Sequence, residues 1–323
     1  MNVIEVKGLK KSYGQVHAVR GVDLSIPAGE IFALLGPNGA GKTTTVEILE
    51  GFRSRDAGEI SILGFDPQTQ GYAARQWRDR IGIVLQSAAD AGDLTVIETV
   101  KHFSGYYSNP RNVDEVMAAV GLEEKSGALI RNLSGGQRRR LDVALGIIGS
   151  PELLFLDEPT TGLDPRGRQD MWGVIQELVK GGVTLLLTTQ YLEEADQLAD
   201  EIAVIDRGTV IARGTSDALK KQVGGERLEI TVDPADLAKA NEIVAKISGH
   251  ATHVDHRTVS APVLNGSKDL MDALRAMDDA KIHPLDIGLK RPSLDDVFLS
   301  LTGHVAEETV EEPAVKKKRG GKK

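Results

Sequence analysis

The sequence predicts an α/β fold built on a mainly parallel sheet, followed by a smaller α+β domain. Three short apolar runs carry the first half: Ile31–Leu35, residues 153–156 and residues 183–189 read as strands buried on both faces, with helical patterns between them. The second half rests on an order of strand, helix, two strands, helix and strand after residue 226, the βαββαβ order of a ferredoxin-like domain.

Taken in order, Val3, Ile4 and Val6 begin a β-rich stretch, and Val22, Leu24 and Ile26 alternate as one face of a strand. Residues 27–30 form a turn into the run at 31–35. A glycine-rich loop follows, then a helix over 44–49. Between 87 and 150 helical periodicity replaces the strand signal, which predicts a helical insertion. Residues 201–213 alternate around Arg207-Gly208 and predict a hairpin. The polar, Gly-containing stretch 220–226 reads as a linker. Beyond it the pattern gives a strand (227–232), a helix (234–247), two strands (252–261), a helix (267–281) and a strand (285–289), closed by a short helix around 294–301. The boundaries expected are therefore 1–218, 219–303 and a charged, disordered tail at 304–323.

Composition narrows the function. The chain has 323 residues, 41% of them hydrophobic and 27% charged, an ordinary balance for a folded protein. Lys plus Arg number 39 against 47 Asp plus Glu, a net charge of −8, which argues against a broad nucleic-acid-binding face. The absence of cysteine excludes disulfides, thiolate metal sites and Cys nucleophiles. No apolar run approaches the roughly 18 residues that a membrane span needs. The opening residues 1–5 lack the features of a secretory signal, so the chain is expected to stay on the cytoplasmic side and to serve any membrane through a partner.

Three motifs carry chemistry. Gly36, Pro37, Asn38, Gly39, Ala40, Gly41, Lys42 and Thr43 match the P-loop pattern, and Thr44 follows. Such a loop turns backbone N–H groups onto phosphate oxygens at the positive end of a helix. Lys42 then reaches the β- and γ-phosphates, and the Thr43 hydroxyl is placed to ligand Mg²⁺. The apolar run at 153–156 ends in Asp157 and Glu158. The first carboxylate is suited to hold Mg²⁺ and the second to polarise an attacking water. Ser134, Gly135, Gly136 and Gln137 after Leu133 form a second phosphate-binding helix start, which makes sense if it serves a nucleotide held by another copy. Standing alone, it would read as a plain N-cap at Ser134.

The order of P-loop, Gln86 after the apolar residues 81–85, Leu-Ser-Gly-Gly-Gln at 133–137, Asp157-Glu158 and Thr161-Gly162-Leu163-Asp164 resembles the ATP-binding subunits of ABC transporters over residues 1 to about 218. That resemblance implies an ABC-type P-loop NTPase core with antiparallel β and helical subdomains. It also implies that Tyr13 stacks on adenine, Gln86 senses Mg²⁺ and the lytic water, Glu158 is the general base, and Asp164 lies at a dimer interface. Two copies would sandwich two Mg-ATP head to tail and drive a separate transmembrane permease from the cytoplasmic face, with the segment from Gln86 to Tyr107 docking it. One position departs from the family: where a histidine is usual, at the end of the strand near 185–189, this chain has Gln190. The phrase around it, and the stretch 294–303, resemble the daunorubicin-resistance drug-efflux branch. The expected cargo is therefore apolar or amphipathic, a drug or a lipid.

Two rival classes carry less of the sequence. A soluble ABC ATPase acting on ribosomes or DNA usually has two cassettes or a long coiled-coil insertion, and this chain has one P-loop and no sustained heptads. A non-catalytic nucleotide-binding regulator would be favoured by loss of Glu158, which is present. His250, His253 and His256 read as solvated side chains, Trp77 and Trp172 as packing residues, and the basic run 316–319 as a solubilising tail.

Overall fold

The computed structural model describes residues 1–84, 93–223 and 226–302. It opens with β1 (Asn2–Tyr13) and β2 (Val16–Pro27), then β3 (Ile31–Leu35), α1 (Lys42–Leu49) and β4 (Ala57–Ile62). β1, β2 and β4 form an antiparallel sheet with β1 in the middle. β3 belongs to a second, six-stranded sheet with β5 (Ile81–Val84), β6 (Leu153–Asp157), β7 (Thr184–Thr189), β8 (Glu201–Asp206) and β9 (Thr209–Gly214). Its order is β5-β6-β7-β3-β8-β9, parallel except for the edge strand β9.

The apolar runs are explained by layers on both faces of this sheet. Side chains alternate along β3. Phe32 and Leu34 join Ile4, Val22, Ile26 and Trp77 in the core beneath the antiparallel sheet. Ile31, by contrast, faces the helical side with Leu154, Leu156, Leu185 and Leu187. Registers Leu35↔Thr189 and Asp157↔Thr188 set the carboxyl ends of β3, β7 and β6 side by side. In open parallel sheets that edge is where ligands bind.

The helical region comprises α2 (Tyr72–Arg78), α3 (Val96–Ser104), α4 (Val113–Ala119) and α5 (Gly135–Ile147), with 3-10 turns at Glu123–Lys125 and Ile130–Asn132. α6 (Pro165–Lys180), α7 (Leu192–Leu198) and α8 (Ser216–Val223) complete the first half. The expected linker is thus helical up to residue 223.

The C-terminal part contains β10 (Arg227–Thr231), α9 (Leu237–Ser248), β11 (His253–Asp255), β12 (Thr258–Pro262), α10 (Gly266–Asp279) and β13 (Asp286–Lys290). The strands form an antiparallel sheet of order β11-β12-β10-β13, and Leu228, Ile230, Val259 and Ala261 pack on Ala240, Val244, Ala273 and Met277. This is the βαββαβ arrangement the sequence predicts. His253 alone of the three histidines lies on a strand, and His256 sits in the turn with φ of 49°.

The last helix, α11 (Leu294–Thr302), does not close this domain. Leu294, Val297 and Phe298 pack instead with Leu219 of α8 and Leu192 and Ala195 of α7 against Ala33, Leu35, Ile202 and Val204 of the main sheet. Sequence distance suggested one partner, and the apolar face of the helix is buried by the main sheet with α7 and α8 instead. Phe298 is 4% exposed, so Phe298→Ala is expected to cost about 3 kcal/mol. Hydrogen exchange should then rise across 294–302 while β10 and β12 keep their protection; equal loss in both places would contradict this packing.

Candidate active site

The P-loop joins β3 to α1 and is held from outside by the β8–β9 hairpin. Gly208 N–H donates to Ala40 O (2.8 Å), and Arg20 N–H donates to Gly208 O (2.8 Å). The contact is so close that a methyl group at Gly36 would stand 2.3 Å from Ile205 O of β8, and on the side of β2 one at Gly41 would stand 2.4 Å from Ala18 O. Gly41, with φ of 104°, leads directly into α1. Lys42 is 7% exposed and donates to the carbonyls of Gly36 (2.6 Å) and Pro37 (3.2 Å). Burial pushes its ammonium below the usual value, while Glu158 and then Asp157 pull it back up. Thr43 is exposed and Thr44 half-buried in the first turn of α1, beside a loop that includes Asn38 and Gly39 at the surface.

At the end of β6, Asp157 accepts a hydrogen bond from the Thr188 hydroxyl of β7. Glu158 follows with φ of 46°, a left-handed conformation rare for a residue with a side chain. Its N–H donates to Thr188 O (3.0 Å), and its carboxylate accepts from the Thr161 hydroxyl (3.1 Å). Gln190 is half-buried immediately after β7, next in line to the P-loop and Glu158 along the sheet edge. Lysine, two carboxylates, a helix start and an amide therefore meet at one edge.

Tyr13 ends β1 and is 41% exposed, with Lys11 Nζ 5.6 Å and Arg53 Cζ 5.5 Å from its ring centre. Arg53 also pairs with Glu47 of α1, which ties the ring to the P-loop helix. Ser134 caps α5: its hydroxyl accepts from Gln137 N–H (3.2 Å), and Gln137 Oε1 accepts from Ser134 N–H (3.1 Å). Asp164 caps α6, its carboxylate accepting from Gly167 N–H (2.7 Å). Gln86 lies outside the described residues.

The ABC transporter family profile matches residues 19–161. A daunorubicin resistance ATP-binding protein from Streptomyces coeruleorubidus is 44% identical over 93% of this chain and 96% of its own length. A daunorubicin/doxorubicin resistance ATP-binding protein from Streptomyces peucetius is 40% identical over 98% and 97%. This chain belongs to the ABC transporter ATP-binding family. Among solved structures, cbiO1 from Clostridium perfringens, part of an ABC transporter complex, superposes with a TM-score of 0.62 at 27% identity, over 69% of this chain and 94% of its own. A dimeric bacterial ABC transporter cassette shares the fold, with a TM-score of 0.59 at 24% identity over 66% of this chain and 98% of that one.

As an ABC ATPase, the chain uses further residues that sequence reasoning missed. Arg139, 7% exposed, donates to Asp157 O (2.6 Å) and Pro159 O (3.0 Å). The available signal was its place four residues before Val143 on the buried stripe of α5. Glu194 of α7 is fully buried. Its carboxyl is raised by burial, opposed by hydrogen bonds from Thr189 and from Trp172 Nε1–H (3.3 Å), so Trp172 does more than pack. Glu50 at the end of α1 is pushed up to about 8 by burial, with Asp157 and Glu47 adding to the effect. Nothing in the local sequence marks either carboxylate as buried.

Proposed function

We propose that this chain is the ATP-hydrolysing subunit of an ABC exporter, in which two copies close head to tail around two Mg-ATP and drive a separate permease. The observation that carries the dimer is the start of α5. A methyl group at Gly135 would meet open space among the described residues, and one at Gly136 only an ordinary 3.7 Å contact with Leu163. Neither glycine has positive φ, and each costs up to about 1 kcal/mol in a helix. The chain's own packing gives no reason for them. Bare backbone at a helix start suits close approach of a phosphate from outside, and this chain's own P-loop already provides for its own nucleotide.

The residues present fit Mg²⁺. Asp157, the Thr43 hydroxyl and the Gln86 amide are hard oxygen donors of the kind that ion takes, and it would draw charge from the γ-phosphate oxygens. Tyr13 would stack on adenine, residues 36–44 would cradle the phosphates, and Lys42 would leave the loop carbonyls for them. Glu158 would take a proton from the attacking water, Gln190 would orient the γ-phosphate, and Ser134–Gln137 of one copy would complete the site of the other beside Asp164.

Among the described residues no helix is long and apolar enough to cross a membrane, and the proposal gives the path for cargo to a separate permease. The segment proposed to dock it is 86–107; in its described part Phe103 and Tyr106 are exposed and stack edge to face with each other and with His102. The proposed cargo is drug-like and amphipathic, exported from the cytoplasmic face, a reading that the relatives' names support only in speaking of daunorubicin and doxorubicin resistance. The ferredoxin-like region is proposed to steady the dimer or its coupling. Co-purification from solubilised membranes tests the reading: it expects a multi-spanning protein, and recovery with ribosomes or DNA instead would overturn it.

Gln190 gives a sharper test. Its amide donates without titrating, whereas an imidazole changes charge near pH 6.5. Gln190→Ala is expected to cut turnover about ten- to a thousand-fold with little loss of ATP affinity. Gln190→His should stay active and acquire a pH dependence between about 5.5 and 7.5. Steady-state rates at saturating Mg-ATP decide this, and an alanine variant as fast as wild type would make Gln190 a bystander.

A further inference from the structure

Glu158 holds a strained backbone, and strain of this kind persists only where the surroundings fix it. The peptide before Glu158 is bound at both ends, by its N–H to Thr188 O (3.0 Å) and by Asp157 O to Arg139 Nη2 (2.6 Å). On the far side, Pro159 O accepts from Arg139 Nε (3.0 Å). One guanidinium therefore grips the carbonyl on each side of the carboxylate residue, using the two parallel N–H bonds along one edge of its plane.

That side chain is expensive where it stands. It is 7% exposed on a helix stripe otherwise lined by Leu141, Val143, Ala144 and Ile147, where an apolar residue would pack at no cost in desolvation. Two of its N–H groups go to the two carbonyls that bracket Glu158, and its Nη1 lies 3.8 Å from Asp142. The bracket is mounted on α5, the helix that starts at Ser134.

We propose that Arg139 is a positioning residue for Glu158, holding the strained turn so that the carboxylate faces the attacking water. The proposal rests on Glu158 being the base. A lysine at 139 keeps the charge but presents no planar fork, and a methionine keeps the bulk and donates nothing.

The test measures turnover and single-turnover phosphate release for the full chain and for Arg139→Met, Arg139→Lys, Glu158→Gln and the double variant Arg139→Met/Glu158→Gln. Arg139→Met is expected to lower kcat about 100-fold, the scale of a misplaced catalytic group, with KM for ATP unchanged within about threefold. Arg139→Lys should fall between it and wild type. The double variant should lose no more than about threefold beyond Glu158→Gln, because a base already removed cannot be misplaced. Losses that multiply in the double variant, or a risen KM with kcat intact, would overturn the proposal. If Arg139→Met fails to fold, Arg139→Lys alone and with Glu158→Gln carries the same comparison. A Glu158→Gln chain that turns over ATP normally would instead remove the base assignment, whatever Arg139 does.

Discussion

Glu158→Gln is expected to bind Mg-ATP normally, to lose turnover by about a thousand-fold and to accumulate as a closed, nucleotide-filled dimer. The amide has the shape of the carboxylate and still accepts from Thr161, so the turn at φ 46° and its bonds to Thr188 and Arg139 have no reason to move. What is lost is the ability to take a proton from water. In the proposed cycle closure precedes chemistry, so the cycle would stop after closure. Light scattering with Mg-ATP should report a dimer that retains unhydrolysed ATP. Hydrolysis near the wild-type rate would mean that another group is the base.

Gly41→Ala is expected to lower ATP affinity by about 100-fold or more, or to prevent folding. The backbone there has φ of 104°, and the added methyl would press to 2.4 Å from Ala18 O, a backbone atom of β2 that cannot rotate away. Relief requires the P-loop to lift from β2. Gly29→Ala, in the turn before β3 and outside the P-loop, is the control. Its φ is 79°, but nothing lies within 4 Å of the new methyl, so only the conformational cost of about 1 kcal/mol is expected. Equilibrium binding of a fluorescent ATP analogue separates the two. Equal losses would show that the close approach at Ala18 is unimportant.

The legible parts of this molecule are those where one local pattern has one structural meaning. Strands buried on both faces must be apolar throughout, so β3, β6 and β7 stand out as runs, and their registers then bring Lys42, Glu158 and Gln190 to one edge. The P-loop is legible because few residue types fit a loop pressed against Ile205 and Ala18. Arg138, Arg139 and Arg140 are adjacent and identical in type, yet their fates differ. The first donates to Ile130 O, the second brackets Glu158, and the third pairs with Asp170. Helix geometry relative to the sheet decides among them, and no local pattern encodes it. The case of α11 is similar. Leu294, Val297 and Phe298 declare an apolar face but not which core receives it. Its docking also means that a chain ending near residue 218 would uncover Leu35, Ala195 and Ile202, so such a truncation would be expected to aggregate and would report little about the ferredoxin-like region.

In the proposed dimer each nucleotide is held between the P-loop of one copy and Ser134–Gln137 of the other, and mixing two crippled variants tests this directly. Lys42→Ala removes the P-loop cation but keeps the α5 start, and Ser134→Arg blocks the α5 start but keeps the P-loop. Each alone should be inactive. In a mixed dimer one of the two sites is rebuilt from intact halves, and random pairing makes half the dimers mixed, so turnover should recover to roughly a quarter of wild type. A mixture as inactive as its components, measured where wild type turns over ATP, would contradict the shared site.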